Sequence, residues 1–182
     1  MPGNETADRT IFLIGARAAG KTAIGGKLAR ILKAGFVDTD IRISDRHQMT
    51  LAEIIAREGW EGFRQLEGEF LREATAPGVV VATGGGLILA EANRVFMRKG
   101  GVVFYLSAPA EVLAARLTAD PQAASRPSLT GRPAAAEVAQ VLAEREALYR
   151  EAAHHVIDAS VPPDDVIAAI LARLAGPRPD RH

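Results

Sequence analysis

The residues from Gly15 to Thr22 form a motif that suits phosphate binding, because they match the pattern G-x-x-x-x-G-K-[ST]. An apolar run at 10–14 precedes the motif and a helical pattern follows it, so we expect a strand that turns sharply into a helix N-terminus. Backbone N–H groups of this turn would converge on phosphate oxygens, Lys21 would reach the outer phosphates, and Thr22 would bind Mg²⁺. The alternative interpretation is a glycine-rich turn that has no ligand.

Two carboxylates follow the second predicted strand, which is short and lies at 36–37. Asp38 and Asp40 are two positions apart, so in an extended segment their side chains would project to the same side. Beside a triphosphate, one carboxylate would hold Mg²⁺ through water and the other would accept a hydrogen bond from a hydroxyl that is to be phosphorylated. The alternative is an Asx-type turn after a strand.

Three successive glycines, Gly84, Gly85 and Gly86, follow the third predicted strand at 79–82. Each glycine loses much conformational entropy when it is ordered, so stability alone does not explain the run. Close approach of the backbone to a ligand would explain it. A plain flexible turn is the alternative.

Two arginines lie on or beside apolar helix faces. Arg145 falls inside the apolar stripe of a predicted helix at 134–152. An inward guanidinium needs an anionic partner, and the acidic neighbours of Arg145 in sequence point elsewhere, so we predict a ligand carboxylate. Arg64 borders the face that carries Trp60, and Glu67 can orient it from one helical turn away. Snorkelling or a structural ion pair is the alternative for both arginines.

The segment between Asp120 and Pro133 contains three prolines, a glycine and two arginines, with no helical or strand periodicity. We predict a mobile segment. Arg126 and Arg132 would close over bound phosphates as part of a lid that excludes water and neutralises developing charge. The alternative is that both are ordinary solvated loop arginines.

The elements that must position these groups alternate between strands and helices. The predicted strands lie at 10–14, 36–37, 79–82, 102–106 and 155–158. The predicted helices lie at 21–34, 50–59, 60–76, 91–99, 109–117, 134–152 and 166–174. Continuously apolar strands that alternate with helices indicate an α/β fold with a parallel sheet covered on both faces. Ligands bind such sheets beyond the carboxyl ends of the strands, where the loop, the aspartates and the glycines are found.

Composition excludes several classes of function. The chain has 182 residues, enough for one domain, and Lys plus Arg (22) equals Asp plus Glu (22), so we expect no nucleic-acid or membrane partner. The absence of cysteine excludes disulfides, thiolate metal sites and cysteine nucleophiles. Residues 1–9 lack a basic segment followed by an apolar core, so we expect a cytoplasmic protein whose tails at 1–9 and 176–182 are disordered.

Six motifs occur in the order and spacing of the shikimate kinases, and the chain resembles that family from about Ile11 to Leu174. The motifs lie at 15–22, 38–40, 63–67, 83–86, 126–129 and 144–149. The resemblance implies a single-domain, three-layer α/β/α P-loop kinase with a five-stranded parallel sheet, and we expect a monomer. Its core would comprise 10–36, 66–117 and 134–175, with a helical shikimate-binding region at 37–65 and a mobile lid at 118–133. It also implies that MgATP phosphorylates the 3-hydroxyl of shikimate on the route to chorismate.

The resemblance implies roles for individual residues as well. The residues implied for ATP binding are Ala18, Ala19, Gly20, Lys21, Thr22, Ala23, Arg116 and Arg126. The residues implied for Mg²⁺ are Thr22 and Asp38. The residues implied for shikimate are Asp40, Arg64, Gly84, Gly85, Gly86 and Arg145, with Asp40 as the base and Lys21 and Arg126 as its catalytic partners.

Ala18 departs from the pattern of the family, in which many members have glycine at this place. Alanine tolerates a positive φ poorly, so the loop would relax slightly and its affinity for ATP would differ. Arg17 is a second variable position and receives no role. Two rival functions stay open: another small-molecule kinase of this fold, such as a gluconate kinase, and a nucleotide-binding module without catalysis.

Overall fold

The computed structural model describes residues 9–120 and 128–176. Within these residues five strands form one sheet in the order β2-β3-β1-β4-β5, and every neighbouring pair is parallel. The strands are β1 Thr10–Ile14, β2 Gly35–Asp38, β3 Val79–Ala82, β4 Gly101–Ser107 and β5 His155–Asp158. The five-stranded parallel sheet predicted from the apolar runs is therefore confirmed.

Seven α-helices lie within the described ranges. They are α1 Lys21–Leu32, α2 Thr39–His47, α3 Leu51–Ala74, α4 Glu91–Gly100, α5 Ala110–Ala119, α6 Ala134–Ala152 and α7 Pro163–Leu174. The helices α1 and α7 contact each other, and α4 and α6 contact each other, so the sheet lies between two helical layers. None of the helices in 9–120 and 128–176 is both long enough and apolar enough to cross a bilayer.

The main core lies around the central strands. β1 is buried along its whole length, and β4 is buried at every interior position. A strand that is covered on both faces must be apolar on both, which explains why these segments read as continuous apolar runs. The sheet therefore forms a rigid platform, and its carboxyl edge carries the loops of interest.

A second, smaller apolar cluster holds α2 against α3 outside the sheet. Its buried members are Ile43, Ile54, Phe63 and Phe70, and Trp60 packs against them. This cluster packs α3 against α2 on both sides of Arg64, the predicted substrate arginine.

α3 is interrupted at Gly59, whose φ of 71° and ψ of 173° are not helical. The prediction of two helices that meet near this glycine is therefore confirmed. The two helices follow each other without a loop and together form α3. A capping box begins α3, because Thr50 N donates to Glu53 Oε2 at 2.8 Å and Glu53 N donates to Thr50 Oγ1 at 3.2 Å.

The segment after β2 differs from its prediction. The expectation that Asp38 and Asp40 lie in an extended stretch is wrong, because α2 begins immediately after Asp38. The Asp38 carboxylate caps this helix, accepting hydrogen bonds from Asp40 N at 3.0 Å and from Ile41 N at 3.2 Å. The bond to the residue two positions on is the one that the Asx-type alternative required. Asp40 therefore lies in the first turn of a helix.

Candidate active site

The site lies where three neighbouring strands end. Because β2, β3 and β1 are adjacent in the sheet, the segments that follow them meet at one edge. These segments are the phosphate loop after β1, Asp38 with α2 after β2, and the three glycines after β3. Sequence order alone separates them by tens of residues, and the sheet brings them together.

The loop after β1 has the geometry of a phosphate-binding turn. Gly20 is the N-cap residue of α1 and has a φ of 93°. As a glycine it has no side chain that could accept hydrogen bonds from the first N–H groups of the helix. The N–H groups of the first turn thus give that end its partial positive charge. Lys21 Nζ donates to the carbonyl oxygens of Gly15 at 2.8 Å and Ala16 at 2.7 Å, so the lysine lies along the loop.

Ala18 adopts the left-handed conformation, with a φ of 64°. The alanine thus takes a positive φ in spite of its side chain, and the predicted slight relaxation of the loop and change in ATP affinity stay predictions. An L-residue with a side chain in this region is strained by roughly 1–2 kcal/mol. The next residue, Ala19, is buried, and Ala23 is exposed on the first turn of α1.

Thr22 and Asp38 meet directly across this edge. Thr22 Oγ1 donates to Asp38 Oδ2 at 2.6 Å, and both side chains reach solvent. Mg²⁺ prefers oxygen ligands and commonly takes only one or two protein groups, with water and phosphate oxygens completing its shell. This hydroxyl–carboxylate pair fits that requirement. Within 9–120 and 128–176 there is no cluster of three or more His, Asp or Glu side chains arranged for a metal.

Arg116 joins two loops at the same end of the molecule. Its guanidinium donates to the Ala18 carbonyl at 3.3 Å and to the Ala159 carbonyl at 2.8 Å. It therefore ties the phosphate loop to the segment that follows β5. Arg126, the residue predicted to meet the phosphates from the lid, lies outside the described residues, and Arg132 is exposed.

A cavity of about 120 Å³ lies beside the phosphate loop. Its walls come from the loop, α2, α3, the glycine segment, the end of α5, residue 129 and α6. The lining residues are Ala16, Arg17, Asp40, Leu51, Ile55, Trp60, Phe63, Arg64, Glu67, Gly85, Gly86, Leu89, Leu117, Leu129, Ala134, Glu137, Val138, Val141, Arg145 and Tyr149. We call this the acid cavity, because two of its arginines were expected to meet a carboxylate.

Both candidate arginines line the acid cavity, together with Asp40 and Glu67. Arg64 comes from α3 and is exposed, whereas Arg145 comes from α6 and is half-buried. Asp40 is 6% exposed and Glu67 is 3% exposed, so both residues are shielded from bulk solvent. The arrangement offers two guanidinium groups to an incoming anion and a buried carboxylate next to the phosphate loop.

The glycine segment is packed against these two carboxylates. A Cβ at Gly84 would clash with Glu67 Oε1 and would lie 2.6 Å from Asp40 Oδ1, so any other residue at 84 would displace these carboxylates. The sequence suggested that the glycine backbone lies close to a ligand. At Gly84 the backbone lies close to two side chains of the protein instead. Gly84 N also donates to Thr39 Oγ1 at 3.0 Å, whereas Gly85 and Gly86 line the cavity itself.

One carbonyl oxygen organises the α6 side of the cavity. Arg145 Nη1 donates to Gly85 O at 3.2 Å, and the Tyr149 hydroxyl donates to the same oxygen at 2.7 Å. Burial raises the pKa of Tyr149 to about 12 in spite of the opposing charge of Arg145, so the phenol keeps the proton that it donates. Arg145 thus has a backbone partner within the protein, and its predicted contact with a ligand carboxylate stays a prediction.

Sequence reasoning missed Tyr149 and Glu137 as members of the site. Tyr149 follows Arg145 by four residues in the same stripe, which is the spacing that places two side chains on one helix face. Glu137 is a carboxylate next to the apolar stripe of α6 and is only 4% exposed. An acidic residue beside a buried face was the available signal, because such a group must find several hydrogen-bond donors.

Comparison with known proteins gives this site a family. A family model described as shikimate kinase matches residues 17–175. The shikimate kinase 2 of Syntrophotalea carbinolica is 60% identical over 166 residues, which cover 91% of this chain and 96% of that protein.

Solved structures agree with this assignment. Shikimate kinase from Bacteroides thetaiotaomicron has a TM-score of 0.84 at 32% identity, over 92% of this chain and 99% of that chain. Shikimate kinase from Acinetobacter baumannii in complex with shikimate has a TM-score of 0.81 at 33% identity, over 94% of this chain and 97% of that chain. The chain belongs to the shikimate kinase family and is an ATP-dependent kinase.

Proposed function

We propose that this kinase transfers the γ-phosphoryl group of ATP to the 3-hydroxyl of shikimate, giving shikimate 3-phosphate and ADP. The observation that carries the proposal is the acid cavity, which is lined by Arg64, Arg145 and Asp40 and bordered by Ala16 and Arg17 of the phosphate loop. A cyclic carboxylic acid with ring hydroxyls matches that set of charges. The relative from Acinetobacter baumannii, whose structure contains shikimate, supports the same substrate.

On the phosphate side, the loop amides and Lys21 would hold the triphosphate. Thr22 and Asp38 would hold Mg²⁺, which when bound neutralises charge on the β- and γ-phosphates. The other residues that we propose for ATP are Ala18, Ala19, Gly20, Ala23, Arg116 and Arg126. The contacts of Arg116 with the carbonyls of Ala18 and Ala159 support its place on this side.

On the acid side, Arg64 and Arg145 would grip the carboxylate of the substrate. The planar fork of arginine donates to both oxygens of a carboxylate, which a lysine ammonium cannot do in the same geometry. Gly85 and Gly86 would let the ring approach the backbone, and Gly84 would hold the carboxylates of Asp40 and Glu67 in place. The helical region at 37–65 and the lid at 118–133 would thus surround the acid within one domain.

Asp40 would orient the substrate hydroxyl and accept its proton. The hydroxyl oxygen forms a bond to the γ-phosphorus as the bond between that phosphorus and the β–γ bridging oxygen breaks, and ADP leaves. The protein contributes position and charge: the acid and the triphosphate are held in line, and cationic groups face the charge that develops.

We also propose a monomer in the cytoplasm, where ATP is supplied.

An assay of ADP release with and without shikimate tests the proposed function. ADP release should require shikimate and Mg²⁺, and gluconate or AMP at equal concentration should leave it at the background rate. A thermal-shift titration with the same three compounds should show stabilisation by shikimate alone. Turnover with gluconate and none with shikimate would replace this function by the nearer rival, and no turnover with any acceptor would favour a nucleotide-binding module.

A further inference from the structure

The carboxylate of Glu137 collects hydrogen bonds from three consecutive residues, Ser128 to Thr130. It accepts from Ser128 Oγ at 2.9 Å, from Leu129 N at 3.1 Å, from Thr130 N at 2.9 Å and from Thr130 Oγ1 at 2.8 Å. Glu137 itself is 4% exposed. A buried carboxylate with this many donors is fixed in position, and it fixes its donors in turn.

Glu137 also belongs to the wall of the acid cavity. It lies in the first turn of α6, where a negative charge is favoured by the helix dipole, and Arg145 lies two turns further along the same cavity wall. The held segment contributes Leu129, which lines the cavity although the residue is 38% exposed. The helix α6 therefore carries both the proposed substrate arginine and, about two turns before it, the carboxylate that holds the neighbouring wall.

We propose that Glu137 is a positioning residue for the substrate acid: it attaches residues 128–130 to α6 so that Leu129 forms one wall of the acid cavity. This inference rests on the proposed function, because it takes the cavity to be the site of the acid. A hydrophobic residue at 137 would be compatible with the helix α6 but would leave the donors of 128–130 without a common acceptor.

The ionisation of Glu137 is consistent with this role. Burial raises the pKa of its carboxyl, but hydrogen bonds from Thr130, Ser128 and the backbone N–H of Leu129 outweigh burial and hold the pKa below its usual value. The group is therefore a carboxylate at neutral pH, and all of its oxygen lone pairs can accept. Glutamine keeps the size of the side chain but replaces one accepting oxygen by an NH₂ donor.

Steady-state kinetics of Glu137→Gln, with Glu144→Gln as the matched control, tests the proposal. Glu144 lies on the same helix, is exposed and accepts a hydrogen bond from Gln140. The control therefore also removes one negative charge from α6, but at a residue that does not line the cavity. We expect Glu137→Gln to raise the KM for shikimate about tenfold with the KM for ATP changed less than twofold, because several charge-assisted hydrogen bonds are lost. Glu144→Gln should change neither constant by more than twofold.

Amide hydrogen exchange supplies a readout that does not depend on turnover. The N–H groups of Leu129 and Thr130 donate to Glu137, so their protection should be lost in Glu137→Gln and kept in the control. If the wild-type protein does not phosphorylate shikimate while this protection pattern is observed, the proposed function fails and the attachment stands. Unchanged protection, or unchanged KM values in a variant with lost protection, would overturn the inference.

A variant on the donor side keeps the test decisive if Glu137→Gln does not fold. Thr130→Val removes one hydroxyl donor on an exposed residue and leaves α6 intact. It should raise the KM for shikimate by a factor of about three to five, with an unchanged melting temperature, since one hydrogen bond to a charged group is lost. A KM for shikimate that equals the wild-type value in this folded variant would contradict the positioning role.

Discussion

The phosphate loop and the acid cavity share one edge of the sheet, but they are built from different materials. The loop at 15–22 is a contiguous stretch whose key contacts are local: Lys21 binds the carbonyls of Gly15 and Ala16 within the loop. The acid cavity is formed by side chains from α2, α3 and α6, and the carbonyl that Arg145 contacts lies 60 residues away in sequence.

This contrast indicates which changes each side should tolerate. A site made of backbone N–H groups depends on φ and ψ and is indifferent to most side chains, whereas a site made of charged side chains depends on the identity of each group. Substitutions should therefore separate the kinetic constants for ATP from those for the acid. Substitution of Asp40, which lines the acid cavity beside the phosphate loop, should lower turnover and leave the binding of ATP intact.

The largest effect is expected for Asp40→Asn. The amide cannot accept the proton of the substrate hydroxyl, so kcat should fall by about a hundredfold or more. The dissociation constant for ATP should stay within twofold of the wild-type value, as measured by titration. Asp45→Asn on the same helix removes an exposed carboxylate and should keep full turnover. Near-normal turnover of Asp40→Asn would end the role of Asp40 as the base.

A smaller effect, confined to the acid side, is expected for Arg145→Lys. Lysine cannot donate to both oxygens of a carboxylate in one plane, so the KM for shikimate should rise about tenfold. The KM for ATP should not change. Arg150→Lys is the matched control, because Arg150 is exposed on the same helix and pairs with Glu146. An unchanged KM for shikimate would mean that the bond to Gly85 is the whole function of Arg145.

The phosphate side should respond to backbone conformation, which Ala18→Gly tests. Glycine relieves the strain at a φ of 64° but makes the unfolded chain more flexible, so the free energy of unfolding should rise by only about 0.5 kcal/mol. Denaturant titration measures this change, and the KM for shikimate should stay constant. A loss of stability would show that the alanine methyl group makes packing contacts that outweigh its strain.

The smallest effect concerns His154, which lies at the opposite edge of the sheet from both sides of the site. Burial, with Arg98, His155 and Arg9 nearby, lowers the pKa of His154 from 6.5 to about 4, and its Nδ1 accepts from Val103 N at 3.0 Å. The unfolded chain therefore binds more protons between these pH values, so stability should fall as pH falls from about 6.5 towards 4.

His154→Asn should weaken this pH dependence. Asparagine keeps an acceptor for Val103 N–H but does not titrate. Melting temperatures measured from pH 7 to pH 4 should decline less steeply in the variant, with a remainder from His155, whose pKa is also lowered by burial and by Arg173. An identical decline of the melting temperature in both proteins would show that other groups, including carboxylates, determine the loss of stability at low pH.

The sheet and the phosphate loop were predictable because each is encoded by neighbouring residues. Continuous apolar runs specify strands that are covered on both faces, and the loop motif is contiguous. Helix α2 was missed because only Ile41 and Ile43 are apolar in 39–47, and Ile41 is 49% exposed, so no apolar stripe appears. The N-cap at Asp38 was its signal, but an aspartate after a strand also occurs in turns that no helix follows.

The acid cavity was predictable only in part. The inward position of Arg145 followed from its place in an apolar stripe, but its bond to Gly85 depends on tertiary packing that no local pattern specifies. Glu137 was missed for a related reason: its donors at 128–130 belong to a segment without periodicity. Long-range contacts of irregular segments are not encoded in the spacing of residue types.

Gly59 divides one wall of the acid cavity into two helical segments, which are joined at this one residue with non-helical φ and ψ. Leu51 and Ile55 lie on the first segment, and Phe63 and Arg64 lie on the second. A rotation at this residue alone would change the diameter of the cavity while every lining group kept its chemistry. The main-chain torsions at Gly59 would therefore set the width of the cavity separately from the charged groups that line it. We expect the binding of an inhibitor series that varies ring size to depend on this glycine rather than on the arginines.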